Sequence, residues 1–130
     1  MSKHRHRALL SLRALVEMIR YDLLFRAGGF ASVRRSMRPV SKPLRKPDGT
    51  DVASICQAVG FARAFYWKPL LCLQASVVTA RLMRAKGIQA DVIIGCRASP
   101  FLSHAWVEVD GRVVNDSPIH KTRLAVLDRL

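Results

Sequence analysis

From Leu9 to Leu23, apolar side chains recur at steps of three and four. Leu12, Leu15, Ile19 and Leu23 make a stripe that Leu9 and Val16 widen, while Arg13, Arg20 and Arg26 fall mainly off it. That period predicts an amphipathic helix with the stripe turned onto a core and a basic face in water, stopped by Gly28 and Gly29. Arg13 and Glu17 break the apolar run before signal-peptide length, so export is not expected, and His4 and His6 ahead of it read as a disordered end. The stretch PVSKPLRKPDG has prolines at 39, 43 and 47 and reads as an exposed connection. Thr50 or Asp51 can then cap a second helix, with Val52, Ile55, Cys56, Val59 and Ala62 inward, running to Lys68 and Pro69. A third helix follows in LLCLQASVVTARLMRAKG, with Leu73, Ser76, Val77, Ala80 and Met83 on one side and Gly87 as its C-terminal cap.

The pattern changes period after Gly87. ADVIIGCRA reads as a strand, and SHAWVEVDGRVVND reads as two strands joined at Asp110 and Gly111. Alternation puts His104, Trp106 and Glu108 on one face, with Ala105, Val107 and Val109 on the other. The expected fold class is α+β, N-terminal helices packed on a small antiparallel sheet. Residues 1–49 form a basic helical segment and its proline-rich connection, residues 50–130 the core that carries chemistry, and the two make one compact domain.

Composition agrees with a packed globule, because 130 residues with half of them apolar can fold without staples. Three cysteines with no CxxC pair, Cys56, Cys72 and Cys96, argue against a disulfide framework or a zinc site and for free thiols in a reducing cytoplasm. The net charge of +13 implies an acidic partner, whether nucleic acid, an anionic membrane surface, or an acidic protein or peptide, and charge alone does not choose among them. Much of the excess lies between Lys3 and Lys46, so this segment is expected to dock, and charge reversal at Arg34 and Arg35 is expected to weaken association.

Cys72 falls in the first turn of the third helix, where free backbone N–H groups and the positive dipole end stabilise a thiolate. An isolated cysteine there would more often fill space, and a lone histidine on a half-buried strand is usually structural. Cys72, His104 and Asp116 occur together in the order that a nucleophile, its base and an orienting carboxylate need. Hairpin register decides whether Asp116 can face His104. A plain two-residue turn at Asp110 and Gly111 pairs Asp116 with Ala105, facing away. A three-residue loop with Gly111 in the bulge position pairs His104 with Asp116 and Glu108 with Arg112, and a two-residue turn with a bulge near Asn115 would serve equally. Should Asp116 face away, Asn115 inherits its role.

The helix opening with Cys72, the strand HAWVEV and the aspartate after the next strand resemble the papain/transglutaminase-core cysteine peptidases. More closely, LCLQAS followed by SHAWVEVDGRVVND resembles the transglutaminase-like leader peptidases of lasso peptide biosynthesis, small bacterial proteins. The likeness runs from about Val52 to Pro118. It implies a cysteine protease that removes the leader from a ribosomally made precursor peptide, before a separate ATP-dependent cyclase closes the ring. It also implies a separate leader-recognition protein. No metal or cofactor is expected from the residues.

Chemistry assigns the roles. Cys72 attacks the scissile carbonyl, its backbone N–H helps hold the oxyanion, and His104 protonates the leaving amine and then activates water, with Asp116 fixing the imidazole. A side-chain N–H of Trp67 or Gln57 could supply a second oxyanion donor. Two other readings are open: a transglutaminase-like amidase or acyl transferase, in which an amine intercepts the thioester, and a basic nucleic-acid-binding module with incidental cysteine and histidine. No reading helix or aromatic platform supports the latter, so nucleic acid is not expected as a partner. No transmembrane segment is expected either.

Overall fold

The computed structural model describes residues 2–37 and 49–130. The proline-rich connection lies, apart from Gly49, outside them. The first helix, α1 (Ser2–Ser36), is interrupted at Gly28 and Gly29. Gly29 has φ 66° and ψ −155°, a region open to glycine alone, and the chain folds back there. The guanidinium of Arg81 accordingly reaches both sides of the break, bonding the Glu17 carboxylate and the Ser36 carbonyl oxygen.

The face that α1 buries is not the expected one. Leu10, Ala14 and Met18 are buried, with Leu15, Tyr21 and Leu24 packed partly against the same core, whereas Leu9, Leu12, Val16, Ile19 and Leu23 point outward. The helix is apolar on two opposite faces. Periodicity cannot choose between them, but close approach can: the small Ala14 lies beside Met18, whose carbonyl oxygen accepts a hydrogen bond from Gln74 Nε2 at 3.1 Å. His6 is helical, its Nε2 3.2 Å from Lys86 Nζ, contrary to the disordered end expected there. Arg34 does not stand free for docking. It pairs with Asp128 and ties the end of α1 to the last strand.

Helix α2 (Gly49–Phe65) buries Ile55, Ala58, Val59 and Ala62, and ends three residues before the expected stop at Lys68. Helix α3 (Cys72–Ala85) is the most buried of the helices, as Gln74 through Ala80 are all covered. It stops as its sequence requires. Gly87 has φ 81°, and the N–H groups of Gly87 and Ile88 bond the carbonyls of Arg84 and Met83 in a Schellman-type cap.

Four strands follow, β1 (Asp91–Ala98), β2 (Phe101–Val109), β3 (Arg112–Val113) and β4 (Ala125–Arg129), with a short helix α4 (Ile119–Arg123) before the last. The sheet order is β3-β2-β1-β4, and every pair is antiparallel. Val92, Val107 and Val109 face the helices in the main core. Ile93, Trp106 and Leu124 form a second, smaller cluster on the other side. The α+β class stands, while β4 and α4 are additions to the expected elements.

Gly95 lies opposite His104 in the β1–β2 pair, and a Cβ there would sit 2.7 Å from Trp106 Cη2 and 3.0 Å from Leu124 Cβ. Gly95→Ala should therefore cost about 1–3 kcal/mol through overpacking against a fully buried indole. Chemical denaturation of Gly95→Ala, Trp106→Phe and the double variant checks this. The double variant should lose less than the sum of the singles, and strict additivity would show that the indole is not the obstacle.

Candidate active site

Asp110 and Gly111 have φ 52° and 75°, the left-handed pair of a two-residue type I′ turn. It pairs Val109 with Arg112 and Glu108 with Val113. Of the two registers open from the sequence, this excludes the three-residue loop, and with it the Glu108–Arg112 pair, and leaves the two-residue turn with an irregularity near Asn115. Glu108 instead accepts the Trp106 indole N–H at 2.8 Å and has Lys121 Nζ at 3.5 Å.

On register alone this turn would send Asp116 away from His104, but the ladder does not run that far. Val114 N–H still bonds the Val107 carbonyl, but the backbone N–H of Val107 donates to Asn115 Oδ1 at 2.7 Å, so a side chain takes the place of the Val114 carbonyl. The chain bends out of the sheet, and Asp116 reaches His104 from the bend and not from a strand. His104 Nε2 and Asp116 Oδ2 are hydrogen-bonded. Asn115 Nδ2 also donates to Ser76 Oγ at 3.2 Å. Ser76 is fully buried one turn beyond Cys72, so a single amide ties β2, the Asp116 bend and the start of α3 together.

Burial by itself would raise the Asp116 carboxyl. The hydrogen bonds from His104 and from the Ser117 N–H, with the charges of His104 and His120, outweigh it and hold the group below the usual carboxylate range. A depressed carboxylate contributes stability that is present above about pH 4 and lost as pH falls through its folded value. Denaturation of the parent and Asp116→Asn at pH 6 and at pH 3 should therefore give a stability gap that narrows at the lower pH. A gap independent of pH would mean that the carboxylate is not engaged.

Cys72 is the first residue of α3 and is half-buried. Ala75 N–H makes the first helical bond, to Leu71 O, so the N–H groups of residues 72–74 stand at the open end of the helix. Among the described residues no hydrogen bond joins Cys72 to His104. The structure thus forms the His104–Asp116 half of the constellation and holds Cys72 at the end of α3 that Asn115 anchors.

Among the described residues neither Gln57 nor Trp67, the two side chains expected as oxyanion donors, is hydrogen-bonded to Cys72. Gln57 lines a groove between α1 and α2 with His4 and Phe61. Trp67 is 71% exposed, its ring against Tyr66 and beneath Lys68 Nζ at 5.4 Å. The turn ahead of Cys72 is held by Asp22, which accepts from Tyr66 and from Lys68 Nζ at 2.6 Å. Burial opposes ionisation of Asp22, but these bonds prevail and lower it. The other thiols are placed differently. Cys56 donates to the Val114 carbonyl at 3.5 Å and is pushed up by burial, an inert core thiol, while Cys96 is half-buried opposite Ser103.

Two residues went unread in the sequence. Tyr21, from α1, is raised first by burial, then by Asp22 and by Cys72, so its phenol lies within electrostatic reach of the thiol. No local pattern links positions 21 and 72. His120 has its ring centroid 4.1 Å from that of His104 and its Nε2 4.0 Å from Asp116 Oδ2. The i, i+4 spacing of Asp116 and His120 around Pro118 was the available signal. His104, Asp116 and His120 offer ligand atoms within 4.8 Å of one another, a donor set that could also hold a divalent cation.

With this architecture in place, comparison with protein families gives the class. Residues 15–129 match the model of the transglutaminase-like superfamily, and the chain belongs to that family. Among curated proteins, the microcin J25-processing protein McjB of Escherichia coli is 43% identical over 56 residues, which are 43% of this chain and 27% of McjB. The matched region is thus about a quarter of that relative's length. No solved structure matches. Among the described residues no helix is long and apolar enough to cross a membrane.

Proposed function

We infer that the protein is a cysteine peptidase that removes the leader from a ribosomally made lasso precursor peptide, with Cys72 as nucleophile, His104 as acid and base, and Asp116 as its orienter. The observation that carries this reading is the His104–Asp116 hydrogen bond, formed beside a helix that opens on Cys72, in a member of the transglutaminase-like superfamily. The similarity to a microcin-processing protein supports the substrate class.

With Asp116 ionised, His104 Nε2 donates to it and Nδ1 is the nitrogen left to exchange a proton with the thiol. The Cys72 sulfur adds to the scissile carbonyl, and the N–H groups at the start of α3 receive the developing oxyanion charge. Collapse expels the core peptide amine with a proton from His104, leaving a thioester. His104 then takes a proton from water, hydroxide adds, and the leader departs with a new carboxylate as the thiol returns. Hydrogen bonds of this kind are commonly long before substrate arrives, so the absence of a Cys72–His104 bond is compatible with the cycle. The enzyme is taken to act in the cytoplasm with the precursor, a separate recognition protein and the ATP-dependent cyclase.

The test is to incubate the protein with a lasso precursor and its recognition protein and weigh the products. Hydrolysis gives leader and core fragments whose masses sum to the precursor plus one water. A leader joined to an added primary amine would favour an acyl transferase, and an intact precursor would remove the peptidase reading.

A further inference from the structure

The outward face of α1 is built as a helix-pairing seam. Leu9, Leu12, Val16, Ile19 and Leu23 follow steps of 3, 4, 3 and 4, and each is between 50% and 63% exposed. At 100° per residue they fill an arc of about 80°, narrower than the stripe of a helix lying on a broad apolar surface and matching an a/d seam. The opposite face of the same helix is already buried against α2 and α3. In heptad terms, residues 9, 16 and 23 take position a and residues 12 and 19 position d. The phase runs out into Arg5 and Arg26 at the two ends. Both e positions are arginine, Arg13 and Arg20. Glu17 lies 4.0 Å from Arg20 but is turned inward onto Arg81, and among the described residues Arg5, Arg13 and Arg26 make no ion pair. The seam ends at Ile19 and Leu23 in a groove shared with Trp67, on the turn that leads into Cys72.

We propose that this seam docks an acidic amphipathic helix of a partner protein, with apolar residues at its own a and d positions and carboxylates facing Arg13 and Arg20. A second copy of the chain is the poorer occupant, because antiparallel pairing sets arginine against arginine at the e positions, and parallel pairing sets Arg13 and Arg20 against Ala8 and Leu15 with no carboxylate to meet them. A membrane is the poorer one because the apolar arc is narrow. The proposal concerns binding and goes beyond the peptidase reading without depending on it.

The full chain is titrated with two labelled three-heptad helical peptides, both with leucine at a and d, one with glutamate and one with lysine at e and g. Like charges keep each peptide from pairing with itself. The glutamate peptide should bind at least about tenfold more tightly, with affinity falling as salt rises. Arg13→Glu with Arg20→Glu should reverse the preference. Leu12→Ser with Val16→Ser, both outward positions, should abolish binding while the helical circular dichroism and the melting temperature hold. Cys72→Ala should bind as the parent does, which separates this result from turnover. Equal binding of the two peptides, binding of neither, or binding unaffected by the seam variant would overturn the proposal. So would capture only by phosphatidylglycerol vesicles, or a dimer of the chain that the seam variant disperses.

Discussion

Cys72→Ala is expected to lower precursor cleavage by about 10⁴-fold or more, since removing the nucleophile of a concerted set leaves only binding and oxyanion stabilisation. The substitution deletes one half-buried sulfur at the first position of α3, with no partner among the described hydrogen bonds, so the fold should persist. The contrast with the other two thiols makes the result diagnostic. Cys56→Ala removes a half-buried sulfur packed against the core and bonded to the Val114 carbonyl, and should lower stability while leaving turnover per folded molecule near that of the parent. Cys96→Ala should do less to stability and nothing to the chemistry. Product masses from single-turnover reactions, together with melting curves, give both readouts. A folded Cys72→Ala protein that still cleaves would end the nucleophile assignment, and comparable loss in folded Cys96→Ala would move it to the other thiol.

Trp106→Ala should be the most damaging change to the fold, at about 3–5 kcal/mol, against a total stability of about 5–15 kcal/mol for a domain. The indole is 1% exposed between Ile93 and Leu124, and it fills the space that Gly95 leaves open. Its N–H is also the closest partner of the Glu108 carboxylate, itself 5% exposed, so the alanine variant leaves both a cavity and an under-bonded buried charge. A fall in melting temperature of roughly 10–20 °C corresponds to that range for a chain of this size. Because the His104 ring stacks on Trp106 with centroids 6.4 Å apart, turnover of the remaining folded protein should fall too. Thermal melting and activity per folded molecule measure the two effects. A fall of less than about 3 °C would show that the second cluster is not a structural anchor.

The local pattern of the sequence was enough to determine α2, α3 and its glycine cap, the β1 and β2 segments, and the turn residues at Asp110 and Gly111, because each follows from periodicity or a single backbone preference. It was also enough to single out Cys72, His104 and Asp116, whose types and order suit a nucleophile, its base and an orienting carboxylate. Tertiary structure decided the rest. Which of two apolar faces α1 buries depends on the fit of Ala14 and Met18 against α3, a long-range contact with no local signal. The turn chemistry of Asp110 and Gly111 by itself would have separated Asp116 from His104. What joins them is Asn115, whose side chain ends the β2–β3 ladder on Val107 and reaches across to Ser76 in a different element. His120 beside His104 is likewise a product of the chain folding back on itself. Side-chain periodicity records which residues prefer water or core; which partner each one meets is fixed only when the elements pack.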